Sequence, residues 1–572
     1  MNQIVINSKK KYLQRAILVI AILIGVNILA MYVHTRWDLT AEKRFTLTPS
    51  TRQLLKGLDS TVTIEVFLKG DYPASFRQLA QSTQELLEEF REVGGNRVQF
   101  SFLNPGQGMN DSDRLAFQQS LAEQGIMPFN MQVQEDANQG YSEKLIFPGA
   151  LVHYGSKTLG INLLKNQGGQ DPMQTMNSSE ALLEFQFANA IYQLKQNHLP
   201  LVGYMLGHNE LLGAEVLDAL TSMQSSYLLD TITLQYVSHI PQDFSAIVFA
   251  KPVDRFTDED KLKIDQYVMN GGKVIWFVDE LNVGMDSLQK HDTYVAMDRE
   301  LNLEDMLFRY GVRINQDLIQ DLQCDRLPQV VGHVGDKPQF DLLPFPYFPL
   351  LSPTGAHPIV KNMDLVLSHF ASSIDTVKGG DISKTVLLTS SGNSRTERAP
   401  VQLSWNDLRT KPNPRQFQQH NLPVAVLLEG QFTSLFRNRL SVDEQQLIQQ
   451  VTRLPFKDHS DVINKMIVVS DGDLITNAIS QKNGPMQMGV NLFDPSMVYA
   501  NKEFLLNSLG YLTNNAGIME ARNKELTLRL LDAEKIKQNK SMWQAICVII
   551  PVLLILLFRV IFQFIRQRKF ER

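Results

Sequence analysis

A run of 20 residues without Asp, Glu, Lys or Arg, Ala16–Thr35, constrains this chain more than any other feature. About 20 apolar residues, at a rise of 1.5 Å each, span the roughly 30 Å hydrocarbon core of a bilayer. Lysines and an arginine precede the run, and Tyr32 and Trp37 lie at its far edge, which is typical of membrane helices. We therefore predict a transmembrane helix over residues 16–36 that follows a cytoplasmic tail over residues 1–15.

A second apolar run, Ser541–Phe558, lies near the other end of the chain and is followed by Arg559. We predict a second transmembrane helix over residues 541–562, because the apolar residues after Arg559 extend the run while the arginine reaches toward the headgroups. A charged juxtamembrane helix is expected over residues 523–540, and a basic cytoplasmic tail over residues 563–572. The first run is longer than the apolar part of a cleaved signal peptide, which favours an uncleaved anchor.

The net charge of -5 is unevenly distributed. Residues 1–36 carry +5 and residues 559–572 carry +4, so the intervening segment carries -14. Because basic segments stay on the cytoplasmic side, we expect both termini in the cytoplasm and the intervening body outside the inner membrane of a bacterium. An acidic body also argues against nucleic acid as a partner.

The first part of the body, residues 37–197, has the order of elements βαβαββα, beginning with the alternating strand Thr61–Leu68. This is the order of a thioredoxin-like domain. The redox members of that fold need Cys-x-x-Cys after the first strand, and this chain has Lys69–Pro73 there. We therefore predict a thioredoxin-like domain that serves binding or scaffolding and has no thiol chemistry.

The second part, residues 198–522, alternates short apolar strands with helices, for example the strand Lys273–Asp279 after a helix that begins near Thr257. Such alternation predicts a mostly parallel sheet with both faces covered, in a flavodoxin-like or glutamine-amidotransferase-like α/β domain. An insertion is expected over about residues 282–420, because the strands that complete the sheet come late in the sequence. The chain as a whole is thus predicted to be an α/β protein with a membrane helix at each end.

Two polar loops follow predicted strands, where ligands bind in open α/β sheets. His208 and Glu210 form one candidate site, as a base or as metal ligands; the alternative is a polar loop that caps the next helix. Asp471 and Asp473 form the other, with hard oxygen ligands for Mg²⁺ or Ca²⁺; the alternative is an Asx-type turn. The chain has no phosphate-binding loop and no Gly-x-Ser-x-Gly motif, so we predict no catalytic, cofactor or metal residue.

Two further features suggest contacts with partners. The Pro-rich stretch around Phe345, Tyr347 and Phe348 is a candidate interaction loop, since exposed aromatic side chains carry binding energy; the alternative is a loop folded onto its own domain. Asn27 is the one strongly polar residue deep in the first apolar run. A polar side chain within a membrane usually faces another helix, so Asn27 suggests helix packing.

Short motifs along nearly the whole chain resemble the GldG family of gliding-motility ABC transporter accessory subunits, including its ABC-transporter auxiliary domain. The motifs are Arg36–Thr40, Lys43–Leu47, Phe256–Glu259, Tyr267, Gly271–Lys273, Asp279, Leu307, Tyr310–Val312, Asn315, Asp321, Asn501, Phe504–Asn507 and Arg522–Lys537. The family commonly has glycine where Asn209 stands, which weakens a catalytic interpretation of that loop.

The resemblance implies a non-enzymatic subunit that binds an ABC permease subunit and an ABC ATPase subunit in a hetero-oligomer with two copies. Such complexes are linked to gliding and to the associated protein secretion. The subunit would couple ATP-driven motion to envelope partners or protein cargo, in contact with inner-membrane lipid. Two alternatives remain open: an envelope substrate-binding receptor, and a hydrolase or transferase that uses the loop of His208 and Glu210 or that of Asp471 and Asp473.

Overall fold

The structure is a computed structural model. The described residues are 17–25, 46–70, 72–106, 108–133, 142–165, 172–196, 198–285, 293–335, 337–378, 381–404, 412–482, 484–494, 497–513, 516–523 and 533–570. The chain divides into two compact units, Met1–Glu525 and Leu526–Arg572. We call the folded part from Thr46 to Asn523 the body and number its strands along the chain.

The first sheet of the body has four strands in the order β2-β1-β5-β6, in which β1 is parallel to β2 and antiparallel to β5. Its strands are β1 Val62–Val66, β2 Val98–Phe102, β5 Gly149–Tyr154 and β6 Lys157–Asn162. Strand β1 alternates buried apolar and half-buried polar residues, so one face packs on a core. The helices of this part are Pro49–Lys56, Ala74–Gly94, Asp111–Glu123 and Pro172–Lys195.

The predicted order βαβαββα is confirmed for the strands of this sheet and the helices between and after them. The chain adds one hairpin outside the sheet. The predicted strand near Asn130 is not in the sheet: β3 (Phe129–Val133) and β4 (Ser142–Ile146) form a separate antiparallel hairpin. The third strand of the sheet is therefore β5, which begins after that hairpin. A sequence pattern marks a strand but not its partner, because pairing depends on contacts between distant residues.

The second sheet has ten strands, in the order β15-β16-β19-β22-β23-β10-β9-β7-β8 with β17 paired to β16. Its strands are β7 Leu201–Leu206, β8 Leu228–Thr233, β9 Ala246–Ala250, β10 Val274–Phe277, β15 Cys324–Val334, β16 Lys337–Pro353, β17 Val366–Leu367, β19 Ile382–Thr389, β22 Pro423–Gly430 and β23 Asn464–Val469. Strands β8, β7, β9, β10 and β23 are parallel and lie, by their order in the chain, as 2-1-3-4-5. This order is common in doubly wound sheets.

The prediction of a mostly parallel sheet is wrong for the other half. Strands β22, β19, β16 and β15 are each antiparallel to the neighbour on the path from β23. The described part of the connection between β19 and β22 contains short strands and no crossover helix, and a chain without a crossover returns antiparallel. Part of the predicted insertion over residues 282–420 thus extends the main sheet.

Helices cover both faces of the parallel half. Helices Leu217–Gln224 and Asn501–Leu512 pack on one face, and helices Asp258–Met269 and Glu304–Tyr310 pack on the other. Strand β9 is buried at every position, and its residues alternate between the two cores. The continuous apolar strands that the sequence showed are therefore explained by burial on both sides.

Small sheets and a further helix surround this frame. The elements are β11 Leu281–Asn282, β12 Thr293–Asp298 and β21 Val401–Ser404 in one sheet, the pairs β13 Val312–Ile314 with β18 Ile374–Thr376, β14 Asp317–Asp321 with β20 Ser394–Arg398 and β24 Asn477–Ser480 with β25 Gly484–Met488, and the helix Val442–Thr452. Strand β11 directly follows the parallel strand β10 and so links the small three-stranded sheet to the main one.

The two ends of the body lie side by side. The helix Pro49–Lys56 contacts the short helix Ala516–Met519 and the 3₁₀ turn Glu520–Asn523. The Ser50 hydroxyl lies 3.4 Å from a Glu520 carboxylate oxygen, and Ile518 is buried in the core of the first sheet. The last described segment of the body therefore packs against the first one.

The C-terminal unit is a helix, Ala533–Phe570, which contains Pro551. Within the described residues, one helix is long and apolar enough to cross a membrane: Met542–Arg568, with a mean hydropathy of 3.0. It overlaps the predicted second span and continues past it, so the predicted tail over residues 563–572 is helical as far as Phe570. Residues 17–25 are helical as well, while Asn27 and the rest of the first predicted span lie outside the described residues.

Candidate functional site

Four loops meet at the carboxyl ends of the parallel strands. They follow β7, β9, β10 and β23, at residues 207–213, 251–257, 278–280 and 470–473. Ligands of open α/β sheets bind at this edge, next to the point where the strand order reverses, which lies here between β7 and β9. Both polar loops singled out from the sequence belong to this set.

His208 is buried between two carboxylates. Its Nδ1 lies 3.5 Å from Glu210 Oε1 and its Nε2 lies 3.4 Å from Asp260 Oδ2. The imidazole stacks on the ring of Phe256, with 3.7 Å between the ring centroids. His208 is 2% exposed and Glu210 is 7% exposed, so the pair is closed off from solvent. This geometry suits a buried residue that holds neighbouring elements together better than it suits a base that must reach a substrate.

The backbone of this loop is held by its own hydrogen bonds. The Glu210 carboxylate accepts a bond of 2.7 Å from the His208 N–H, and the His208 carbonyl accepts bonds from the N–H groups of Val253 and Asp254. The loop is thus polar, as one interpretation held, but its carboxylate caps its own turn instead of the next helix. Asn209 has a φ of 54°, a conformation that glycine adopts most easily.

The loop after β23 brings one of the two predicted aspartates, Asp473, to the half-buried Lys251, which also contacts Asp279. Lys251 Nζ lies 2.5 Å from Asp473 Oδ1 and 3.2 Å from Asp279 Oδ2. Asp471 Oδ1 accepts a hydrogen bond of 2.7 Å from the Asp473 N–H, which is the Asx-type turn expected as the alternative. Its Oδ2 accepts bonds from the Ser368 hydroxyl at 2.6 Å and from the His369 N–H at 2.9 Å.

Burial shifts the titration of this cluster. Burial raises the pKa of Asp471 to about 8, with the carboxylates of Asp473 and Asp279 adding to the shift. Although burial works against it, the two carboxylates near Lys251 hold the pKa of that ammonium above its usual value. Burial would raise the pKa of Asp473 as well, but the Lys251 ammonium brings it below the usual range. The cluster therefore combines a salt bridge with a carboxyl group, Asp471, whose burial favours its protonated form.

A metal ion has little room in this cluster. Carboxylate oxygens of Asp279, Asp471 and Asp473 lie within 4.8 Å of one another, which is a spacing that could hold a cation. The Lys251 ammonium already contacts two of them, and the Gly472 N–H donates to Asp279 at 2.5 Å. The site has its own cation, so these residues do not fit a resident metal well.

The site contains residues that the sequence analysis did not single out as site residues: Lys251, Asp279, Arg299 and His369. Lys251 and Asp279 each come just after a buried strand, so the rule that drew attention to His208 and Asp471 could have found them. Arg299, whose guanidinium lies 3.7 Å from Asp279, follows β12, a strand outside the main sheet. No local signal marks such a contact.

A second acidic cluster lies beside the first. Oxygens of Glu280, Asp298 and Glu304 lie within 4.8 Å of one another. Burial raises the pKa of Glu280 to about 8, and the nearby Glu304 and Asp298 add to the shift. Glu280 is 7% exposed, Asp298 is half-buried and Glu304 is exposed, so this cluster opens to the surface.

The aromatic stretch is a strand and not an exposed loop. Phe345, Tyr347 and Phe348 belong to β16, and their side chains are buried in one cluster with Phe370. Ring centroids of Phe345 and Phe348 are 4.9 Å apart in an edge-on arrangement. The stretch therefore packs onto its own domain, which was the alternative interpretation, and an interaction loop here is not supported by exposure.

Comparison with protein families defines the class of the chain as an ABC transporter auxiliary protein. The matching family is described as an ABC-type uncharacterized transport system, and its model covers residues 199–508, more than half of the 572-residue chain. The chain belongs to this family. A second model, a domain of unknown function, matches residues 41–153. The family and the apolar C-terminal helix together indicate a transporter-associated protein at a membrane.

Other comparisons add little. No curated protein matches the chain. Among solved structures, the mmIFT52 N-terminal domain is 10% identical, with 55% of this chain and 97% of that chain covered and a TM-score of 0.29. The exo-beta-1,4-mannosidase Op5Man5 from Opitutaceae bacterium strain TAV5 is also 10% identical, with 84% and 56% covered and a TM-score of 0.19. TM-scores this low carry no argument about this chain.

Proposed function

We propose that the protein is a non-catalytic accessory subunit of an ABC transporter, anchored by a membrane helix at each end of its body. The body lies outside the inner membrane, and both termini lie in the cytoplasm. The subunit passes ATP-driven motion of a permease to envelope partners or protein cargo. The auxiliary family, the apolar helix Met542–Arg568 and the two basic termini support this proposal.

The observation that carries the proposal is the contact between the two ends of the body. The predicted first span ends at residue 36, and the body begins at Thr46. The body ends at Asn523, and the C-terminal helix begins at Ala533. Because the first and last segments of the body touch, with Ser50 beside Glu520, the chain enters and leaves the described body at one place. Relative motion of two membrane helices would act directly on this junction.

A buried ionic network joins the junction to both parts of the body. Arg522 Nη2 donates to Glu503 Oε1 at 2.7 Å and to the Lys361 carbonyl at 3.1 Å. Lys165, from the first part, forms an ion pair of 3.1 Å with the other oxygen of Glu503. Although burial works against it, Lys165 and Arg522 hold the pKa of Glu503 below its usual value. Motion at the junction would thus reach both parts together.

Gliding motility and the associated secretion are the biological setting we infer, from the resemblance to the GldG family. The partners would be a separate ATPase subunit and a separate permease subunit, in a complex with two copies of this chain. The first part of the body would be a thioredoxin-like scaffold without thiol chemistry. The parallel half of the second sheet, with the strand order 2-1-3-4-5, supports a flavodoxin-like domain.

The two predicted polar loops favour a non-catalytic interpretation. His208 and Glu210 are buried against Phe256, and the salt bridges of Lys251 occupy the carboxylates of the neighbouring loop. A hydrolase that used these groups would need a path for substrate to reach them. If the loop were catalytic, His208→Gln would abolish activity without loss of folding; we expect loss of folding instead.

Co-purification tests the accessory role. The full chain would be tagged and expressed with the ATPase and permease encoded beside it, and extracted in mild detergent. We expect all three subunits to purify together. The matched variant replaces residues 542–558 with leucines, which keeps an anchor but removes specific packing, and should reduce recovery of the permease at least about tenfold. An ATPase–permease complex that forms without this chain, while the chain purifies alone, would contradict the proposal.

Cysteine labelling tests the topology. In a variant with Cys324→Ser and Cys547→Ser, a single cysteine would be introduced at Val442, which is 69% exposed on the body. An impermeant maleimide should label it once the outer membrane is permeabilised, while a cysteine at residue 5 should need lysis of the inner membrane. The reverse pattern would place the body in the cytoplasm.

A substrate-binding receptor remains a second candidate, because the body contains a cavity of about 710 Å³ between its two parts. The cavity lining includes Lys165, Gln186, Asp364 and Arg522. Its size lies within the usual range for small-molecule sites. Thermal unfolding with envelope extracts fractionated by size would test it: a ligand should raise the unfolding temperature of the wild type and not of Gln186→Trp, which fills the cavity.

A further inference from the structure

The second acidic cluster is built from two turns next to the main sheet. Glu280 precedes β11, Asp298 ends β12 opposite Leu281, and Glu304 begins the helix Glu304–Tyr310. One carboxylate oxygen from each lies within 4.8 Å of the other two. Three carboxylates are thus brought together from separate elements, although like charges at this distance repel.

The environment of the Glu280 carboxylate indicates that it binds a group that the described residues do not supply. Its side chain is more than nine-tenths buried, and its Oε1 has no hydrogen-bond partner among the described residues. A buried carboxylate without a partner is costly, and native structures rarely keep one. The carboxylate therefore needs either a proton or a positively charged ligand.

Arg313 is near enough to lower the pKa of Glu280, but it forms no ion pair with that carboxylate among the described residues. No Lys or Arg forms an ion pair with Glu280, Asp298 or Glu304 among the described residues, whereas Lys251 fills the neighbouring cluster. Arg299, next in the chain to Asp298, lies 3.7 Å from Asp279. Hydrogen bonds from the Glu300 N–H and the Gln316 amide orient Asp298 and leave each of its oxygens with a second lone pair.

We propose that Glu280, Asp298 and Glu304 bind a divalent cation, with Ca²⁺ as the preferred ion. Calcium binds oxygen ligands at about 2.3–2.6 Å with flexible geometry, so carboxylate oxygens that lie within 4.8 Å of one another can share one calcium ion. Magnesium needs shorter distances and a regular octahedron. Water would complete the coordination shell on the exposed side, at Glu304. The ion would fasten the β11–β12 turn to the helix Glu304–Tyr310.

Thermal unfolding and calorimetric titration of the full chain in detergent, after treatment with a chelator, test the site. Calcium chloride should bind with a Kd of about 10⁻⁴–10⁻³ M, as for other sites with few protein ligands outside the cytoplasm. At ten times the Kd it should raise the unfolding temperature by about 2–5 °C. Magnesium chloride should bind at least about tenfold more weakly.

Three variants separate binding from folding. Glu280→Gln should lose the calcium response without a lower unfolding temperature in chelator, because it removes a buried charge. Glu304→Gln changes an exposed residue, so it should fold normally and bind calcium at least about tenfold more weakly. Glu300→Gln, next to the cluster and outside it, is the matched control and should bind as the wild type does.

The proposal fails if calcium neither binds nor stabilises the wild type. It also fails if Glu304→Gln binds calcium as tightly as Glu300→Gln, since the ion would then lie elsewhere. A drop in the chelator-treated stability of Glu280→Gln with no calcium response in the wild type would assign Glu280 a purely structural role as a protonated acid. None of these outcomes bears on membrane attachment or on the transporter partners.

Discussion

Two acidic clusters begin at neighbouring residues, Asp279 and Glu280, and differ in their charge partner and in their exposure. The Asp279 cluster contains the Lys251 ammonium, within 3.2 Å of two carboxylates; Asp279 and Asp471 are buried, and Asp473 and Lys251 are half-buried. The Glu280 cluster has no such cation among the described residues and opens to the surface at Glu304. The same side-chain type at the same edge of the sheet thus serves folding in one case and leaves a place for a ligand in the other.

This difference shows how to interpret carboxylates in a fold of this kind. Acids at the ends of parallel strands attract attention as ligands or catalysts, but a neighbouring lysine can satisfy them without any ligand. Whether such a cluster of carboxylates binds a ligand depends on whether the protein itself supplies the opposite charge. Changing that charge in each cluster is therefore the most direct experiment.

Removing the lysine should have the largest effect. Lys251→Met leaves Asp473 without its cation and Asp279 with Arg299 alone, and breaking a buried pair in this way costs about 3–5 kcal/mol. We expect a loss of this size in the free energy of unfolding, measured by chemical denaturation. Lys378→Met, at an exposed lysine, is the control and should change little. Equal stability of the two variants would mean that the closed cluster does not depend on its lysine.

The second-largest effect should be the contribution of Asp471 to the pH dependence of the free energy of unfolding. Its pKa is about 8 in the folded protein, whereas an unfolded aspartate titrates near 4. The folded state therefore binds more protons between these values, and the free energy of unfolding should fall as the pH rises from about 4 to 8. Asp471→Asn should flatten that slope by at most about 1.4 kcal/mol per pH unit.

The slope is the measurement, because asparagine also disturbs a hydrogen bond from His369 or Asp473. Asp461→Asn serves as control, because the Lys457 partner lowers the pKa of Asp461 whereas burial raises that of Asp471. An unchanged slope in Asp471→Asn would show that Asp471 is ionised in the folded protein at neutral pH.

A single methyl group should disturb the closed cluster by a smaller amount. A Cβ at Gly472 would lie 2.7 Å from Lys251 Cγ and 3.0 Å from Asp279 Oδ1. Gly472→Ala should therefore lower the free energy of unfolding by about 1–3 kcal/mol, as is usual for overpacking. At Gly392 the added carbon meets no described atom within 4 Å, so Gly392→Ala should be close to neutral. Denaturation curves of the two alanine variants provide the comparison.

Supplying a cation to the open cluster should have the smallest effect on stability. Gln316 donates a hydrogen bond of 2.5 Å to Asp298, so Gln316→Lys places an ammonium there. We expect a gain of at most about 1 kcal/mol without calcium, since the site is exposed, together with loss of the calcium response. Gln446→Lys, on the exposed face of the helix Val442–Thr452, should keep that response. Calcium binding by Gln316→Lys at wild-type affinity would mean that charge does not control the cluster.

Much of the fold was predictable where local signals are strong. Thr257 caps the helix Asp258–Met269 as its spacing indicated, by accepting a hydrogen bond from the Asp260 N–H. The sequence Ser178–Glu180 has the form of a helix cap and predicts a helix over residues 179–196. The helix in fact begins at Pro172, and Ser179 lies inside it and donates to the Thr175 carbonyl instead of capping. Capping residues have more than one use, and the sequence does not show which one applies.

Other features depend on contacts that no local pattern encodes. The prolines around Tyr347 belong to the stretch predicted as a loop, and a proline cannot donate a backbone hydrogen bond to a sheet. The structure accommodates them where the register between β15 and β16 shifts, next to Arg326. The loops of His208 and Asp471 were found from strand ends, but their contacts with Asp260 and Ser368 join residues far apart in the chain.

The meeting of the two ends of the body has a consequence for how such a protein can arise. In a folded unit whose first and last segments touch, as those near Ser50 and Glu520 do, the points where the chain enters and leaves are as close together as the two ends of a short turn. Such a unit can therefore be inserted into an existing loop without separating the elements on either side. In genetic terms, the body has the end-to-end geometry of a cassette that a loop of another protein can accept.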